Sequence, residues 1–197
     1  MEPDWKALKN PFVLAKTCWP KVKFYRDQRQ IIRSVAENRE TVVRAAKKVG
    51  KDFVAGFICL WFFLAHRNVR VITTSVKDDH LRVLWGEIGR FIQTSQVPLT
   101  FEQGGPLVVN HREIRKMVDG GRTKCPISYL MGMVSERGEG MSGHHAANTL
   151  LVIDEASGVD DMVYLAGSGW AGKMLIFGNP NPTENFFRRM NDGGDVP

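Results

Sequence analysis

Apolar positions recur along this chain with two periods. Between Asp27 and Asn38, Ile31, Ile32 and Val35 fall on one side of a predicted helix, with Arg and Glu opposite. TVVRAA, starting at Thr41, is a short β-prone run; KKVGK breaks it, and an apolar helix opening near Asp52 follows at once. VRVITTS, from Val69 to Ser75, predicts a second strand. After it, Leu81, Leu84, Trp85, Ile88, Phe91 and Ile92 recur at three- and four-residue spacing, the signature of an amphipathic helix. PLVVN near Leu107 and PISYLMGMV near Ile127 predict further strands, separated by charged, Gly-containing segments suited to a hairpin or β-rich insertion. TLLVIDE, from Thr149, and KMLIFGN, from Lys173, are continuous apolar runs ended by polar residues, as central parallel strands covered on both faces require. A short helix around Asp160 to Leu165 separates them. Strands alternating with helices predict an α/β domain with a largely parallel sheet, whose ligand binds at the carboxyl ends of the strands.

Composition narrows the classes. The 197 residues suffice for one domain with a substantial core, and with 43% apolar and 24% charged residues the chain is neither disordered nor collagen-like. No repeat or interdomain linker stands out, so one domain over 1–197 is expected, with an irregular lead at 1–23 and a tail at 191–197. The net charge of +6 suits a polyanionic partner such as nucleic acid without choosing one. Lys47, Lys48, Arg67, Arg70, Arg112, Arg115, Lys116, Arg188 and Arg189 are the cations available to face it. Cys18, Cys59 and Cys125 show neither CxxC spacing nor a clustered histidine, which argues against a disulfide framework or a zinc site. The N-terminus lacks the pattern of a signal peptide, and the run from Phe53 to Ala65 is too short to span a membrane. Trp61, Phe62 and Phe63 within it read as core, and His144 and His145 as part of a polar loop.

Candidate chemistry begins at Ala45-Ala46-Lys47-Lys48-Val49-Gly50-Lys51-Asp52, between a β run and a helix. This resembles an altered Walker A loop, in which backbone N–H groups of Ala46 to Phe53 are expected to converge on phosphate oxygens at a helix N-terminus and Lys51 to reach the β and γ phosphates. Ala45 stands where the first Gly is common, and Asp52 where Ser or Thr ordinarily ligates Mg²⁺. A carboxylate there binds metal but repels a triphosphate, so metal and phosphate affinity are pushed in opposite directions. LLVIDEA supplies a Walker B arrangement, in which Asp154 holds Mg²⁺ and Glu155 orients and deprotonates the attacking water. KMLIFGNPNP places Gly178 and Asn179 after another buried strand, where an amide can sense the γ-phosphate. Tyr25 and Gln28 precede and open the first helix, an aromatic ring and an amide suited to adenine.

The order of these motifs resembles the ATPase domain of the large terminase subunit, the DNA-packaging motor of tailed bacteriophages. The resemblance runs from about Phe24 to Phe187 and is most specific in VIDEASGV followed by GNP. It implies a P-loop NTPase of the additional-strand catalytic-glutamate type, with a largely parallel central sheet flanked by helices. It also implies ATP hydrolysis with Mg²⁺ that moves viral double-stranded DNA into a procapsid. Lys51 then contacts phosphate, Asp154 supports Mg²⁺, Glu155 activates water, Asn179 belongs to the coupling motif and Gln28 to the adenine motif. Partners implied are double-stranded DNA, further copies of the chain in a ring on a capsid portal, and a small terminase subunit, in the cytoplasm of an infected host and with no membrane.

Three departures qualify the resemblance. Lys47 stands where an arginine is frequent, which keeps charge but loses bidentate geometry. TTSVKDDH carries Asp78, Asp79 and His80 in place of the usual Pro and Gln. The chain ends soon after GNP, so no nuclease domain and no DNA cleavage are expected. Arg137, before LLVIDEA, is the candidate for a cation supplied to a neighbouring subunit. Two other classes stay open: a degenerate P-loop module that binds nucleotide, DNA or a capsid protein with little hydrolysis, and another nucleic-acid-dependent ATPase of helicase type.

Overall fold

Alternating apolar runs build one sheet with helices on both faces. The computed structural model describes residues 7–44, 50–118, 123–134, 140–179 and 184–193. Among them the strands are β1 (Glu40–Arg44), β2 (Val69–Ser75), β3 (Leu107–Asn110), β4 (Glu113–Val118), β5 (Thr123–Val134), β6 (Asn148–Asp154) and β7 (Lys173–Gly178). Their order across the sheet is β1-β7-β6-β2-β5-β4-β3. The first five in that order are mutually parallel, and β4 and β3 extend the sheet as antiparallel strands. The charged segment near Leu107 is therefore a hairpin, whose return strand β4 buries Ile114 between charged neighbours. One additional strand, β7, separates β1, which leads into the Gly50-Lys51 turn, from β6, which ends in Asp154.

The middle stretches of the central strands are apolar at successive positions because both faces are covered. Val71, Leu150, Val152 and Leu175 join the core beneath helices α3 (Lys51–Ala65) and α4 (Asp78–Thr94). Ile72, Leu151, Ile153 and Ile176 join the opposite core, with residues of α5 (Asp161–Ser168) and α6 (Phe186–Asp192). Helix α3 is buried from Val54 to Ala65, so Trp61, Phe62 and Phe63 are core as expected. Helix α2 (Arg26–Glu37) is amphipathic and buries Gln28, Ile32 and Val35.

The lead differs from its expected irregular form. Helix α1 (Pro11–Cys18) forms because the Asn10 carboxamide oxygen accepts the Phe12 and Val13 N–H groups and Pro11 sits in the first turn, which needs no N–H. Trp19 then docks the segment, its indole N–H donating to the Phe91 carbonyl at 2.7 Å. Cys18 and Cys59 are free and buried. No helix among the described residues is long and apolar enough to cross a membrane.

Candidate functional site

The carboxyl ends of the parallel strands bring distant segments together. Gly50 caps α3 in the left-handed region, at φ +72°, where a side chain is strained. A Cβ there would also stand 2.9 Å from the Gln28 Nε2, so the turn and α2 meet at this point. Lys51 opens α3, and its ammonium donates to the Asp154 Oδ1 at 3.0 Å and to a Glu155 carboxylate oxygen. The other Glu155 oxygen accepts from the Asn179 Nδ2 at 3.1 Å. Thus Lys51, Asp154, Glu155 and Asn179, drawn from the ends of three separate regions of sequence, share one junction. Glu155 lies just past β6 with φ +54°, a backbone conformation disfavoured for a non-glycine residue.

Electrostatics at the junction are finely opposed. Burial pushes the Asp154 carboxyl above its ordinary range, against the Lys51 charge and hydrogen bond. Burial likewise raises the Asp52 carboxyl, again opposed by Lys51. For Lys51, burial acts to lower the pKa, but hydrogen bonds and charge from Glu155 and Asp154 outweigh it and hold the ammonium above its usual value. The ammonium is thus the neutralising partner of a pair of acids.

Beside this junction a cavity of about 350 Å³ is lined by Gln28, Ile31, Ser34, Val43, Arg44 and Lys51, among others. Gln28 is buried at its wall and accepts the Tyr25 backbone N–H at 3.1 Å. The Tyr25 residue is 77% exposed, in contrast to the buried Gln28. Phe53, whose backbone N–H is the one expected at the phosphates, packs its ring against Phe24 and Phe91, with Arg90 over it. Gly178 ends β7 where a Cβ would lie 2.6 Å from the Phe187 ring. Ala46, Lys47, Lys48, Val49 and Arg137 lie outside the described residues.

Oxygen donors suited to a divalent cation are present. Asp154 stands beside Ser75, its partner in the β2–β6 register, whose hydroxyl is buried without a hydrogen-bond partner among the described residues. Asp52 adds a half-buried carboxyl. The sequence reading missed Ser75, and it took His80 only as a departure from a motif. His80 offers a ring nitrogen within 4.8 Å of carboxylate oxygens of Asp154 and Glu155. Adjacency of β2 and β6 is what places both residues there, and that adjacency is a property of the sheet order.

Several of the described basic residues are engaged with neighbours. Arg112 is held by Asp78, Arg189 by Asp161, and Arg188 by Glu184 and Asp192. Lys116 donates to the His66 carbonyl and lies over Phe63. Arg70 and Arg115 both lie over the Tyr129 ring. His144 accepts or donates at the Tyr129 hydroxyl, 2.7 Å away, a packing role in keeping with its polar loop.

No protein-family model matches the sequence, and no curated protein matches it. Solved structures do. The large terminase ATPase domain of Thermus phage P74-26 aligns with a TM-score of 0.64 at 18% identity, over 84% of this chain and 68% of that one. An arginine-to-alanine mutant of the same domain gives the same values. The HK97 bacteriophage large terminase aligns with a TM-score of 0.62 at 12% identity, over 98% of this chain and 42% of that one. At such identities the likeness is one of architecture: this chain has the fold of phage large-terminase ATPase domains.

Proposed function

We propose that the chain hydrolyses ATP and, as a terminase-like motor domain, couples that reaction to movement of double-stranded DNA into a procapsid. The observation that carries the reading is the single junction at which Lys51 holds both Asp154 and Glu155 while Asn179 holds the far oxygen of Glu155. A triphosphate in the adjoining cavity competes with the acids for the Lys51 ammonium. Once drawn to phosphate, Lys51 leaves Glu155 with a free oxygen, tethered through the other by Asn179. Glu155 then takes a proton from water as the water oxygen bonds to the γ-phosphorus and the bond to the ADP oxygen breaks, giving ADP and inorganic phosphate. Mg²⁺ fits the oxygen donors described; Asp154 would hold it, and it would supply charge neutralisation on the phosphates. Gln28 presents an amide to adenine at the cavity wall. Arg137 of a neighbouring copy, a ring on a capsid portal and a small terminase subunit complete the proposed assembly.

Replacing Glu155 with Gln tests this directly. Steady-state phosphate release with Mg²⁺ falls about a hundredfold or more, the scale of a lost general base, while binding of a fluorescent ATP analogue is kept. Turnover equal to wild type rules out the assigned role. Acceleration of wild-type turnover by double-stranded DNA supports the motor reading over a simple hydrolase.

A second reading rests on Asp52. A half-buried acid at a position where a hydroxyl is expected opposes the triphosphate, which favours a degenerate module that binds nucleotide and turns it over slowly.

A further inference from the structure

The hydrolysis reading uses Lys51, Asp154, Glu155 and Asn179 and leaves two neighbours without work. His80 lies in the first turn of α4, delivered by the short connection from the end of β2. One ring nitrogen of His80 and one carboxylate oxygen each of Asp154 and Glu155 lie within 4.8 Å of one another. A cation bonded at about 2.1 Å needs its ligands within about 4.2 Å of each other, so the three side chains close on it by roughly half an ångström of rotation.

Ser75 adds an independent sign. Its hydroxyl is 1% exposed for the residue and makes no hydrogen bond. A buried hydroxyl left so costs on the order of 1–3 kcal/mol unless something bonds to it. Ser75 and Asp154 are register partners on adjacent parallel strands, so their side chains leave the sheet on the same face. Alternation from Val71 and Val152, which both join the core beneath α3 and α4, makes that the face from which Lys51 and His80 approach. The orphan oxygen is therefore on the same side and at the same strand ends as the imidazole and the two acids.

We propose that Ser75, His80 and Asp154 hold a divalent cation beside Glu155, and that this site selects first-row transition ions over Mg²⁺, Mn²⁺ serving as their spectroscopic probe. The proposal rests on the reading that this pocket serves a nucleotide and names the cation that accompanies it. Mg²⁺ takes oxygen ligands in strict octahedral geometry, whereas an imidazole nitrogen beside a carboxylate favours first-row transition ions, the heavier ones most and Mn²⁺ least among them but still over Mg²⁺. The Lys51 ammonium occupies the same two carboxylates, so it competes with the cation until it is drawn away.

The test uses the full chain and metal alone, with Mn²⁺ binding followed by its electron paramagnetic resonance signal and Mg²⁺ added as competitor. Wild type binds Mn²⁺ in preference to Mg²⁺, and the bound ion shows spin-echo modulation from an imidazole nitrogen. His80→Ala abolishes that modulation and lowers Mn²⁺ affinity about tenfold or more, the scale of loss when a partner of a metal site is removed. Ser75→Ala lowers Mn²⁺ affinity and keeps the nitrogen signal, which preserves the test if His80→Ala fails to fold. Lys51→Met, which removes the competing ammonium, binds Mn²⁺ more tightly than wild type. Absence of nitrogen modulation, an unchanged Mn²⁺/Mg²⁺ ratio in folded His80→Ala, or no Mn²⁺ bound at millimolar concentration in either wild type or Lys51→Met overturns the proposal. Binding of a fluorescent ATP analogue in the same samples separates the two readings. Nucleotide bound without a nitrogen signal removes the cation site alone; a nitrogen signal without nucleotide binding keeps the cation site and removes the hydrolysis reading.

Discussion

Replacing Lys51 with Met keeps the length of the side chain and removes its charge, and the structure fixes what that does to stability. The ammonium bonds Asp154 and Glu155 together, with side-chain exposures of 19%, 5% and 19% for Lys51, Asp154 and Glu155. Breaking a fully buried ion pair costs about 3–5 kcal/mol because a charge is left uncompensated. Partial exposure of Lys51 and Glu155 lets water screen the loss, which reduces the expected cost to about 2–4 kcal/mol. For a chain of this size that lowers the melting temperature by roughly 5–15 °C. Thermal and urea denaturation of Lys51→Met, Asp154→Asn and the double variant form a cycle with an expected coupling of at least about 1 kcal/mol. The pH dependence has a definite sign. Burial already holds the Asp154 carboxyl above its ordinary 3.8, and loss of Lys51 raises it further. A carboxyl with a raised folded-state pKa binds more protons folded than unfolded, so stability rises as pH falls through that pKa. The deficit of Lys51→Met is therefore full at neutral pH and narrows on acidification toward the unfolded-state value. In wild type, Lys51 has a folded pKa above 10.5, so its stabilisation is complete below that value and is lost as pH rises past the folded pKa. Additivity of the two substitutions to within about 0.5 kcal/mol refutes the ion-pair reasoning.

Two further substitutions probe the same corner. Gly50→Ala places a methyl at φ +72° and 2.9 Å from the Gln28 amide, so it should cost about 1–2 kcal/mol and weaken binding of a fluorescent ATP analogue; relief of part of the cost in a Gln28→Ala background, read by urea denaturation, separates the contact from backbone strain. Asp52→Ser removes the acid that opposes a triphosphate, and Mg²⁺-dependent phosphate release should rise severalfold; a fall in turnover shows Asp52 to be a working metal ligand and removes the case for degeneration.

Local pattern carried most of the architecture. The runs at Val69–Ser75 and Lys173–Gly178 are strands at the expected bounds: the second is a continuous apolar run, as a strand buried on both faces requires, and the first is rich in the β-branched residues that strands favour. The pairing of Lys51 with the two acids was likewise legible, since each stands at a strand-to-helix or strand-to-loop transition. What stayed hidden depends on which strands are neighbours. Ser75 and His80 sit about 80 residues before Asp154, and only the placement of β2 against β6 makes them companions. Helix α1 was hidden for a different reason: Pro and Lys dominate the lead, and its burial comes from docking onto α3 and α4 rather than from a strong stripe of its own. Phe53 enters the loop motif through its backbone N–H alone; that its ring joins the aromatic cluster with Phe24 and Phe91 depends on how α2 and α4 pack on α3, which local pattern does not give.

The intervening strand β7 sets a mechanical relation that neither the Gly50-Lys51 turn nor the Asp154-Glu155 pair has alone. Two strand spacings, roughly 10 Å, separate the β1 and β6 backbones. Lys51 bridges that gap from above, while the strand in the middle ends at Gly178 with the Phe187 ring pressed against it. Asn179 therefore grips Glu155 from a piece of chain clamped to α6. Whatever takes the ammonium away from the acids changes the load on that amide, and the helix beyond β7 is the first body positioned to feel it.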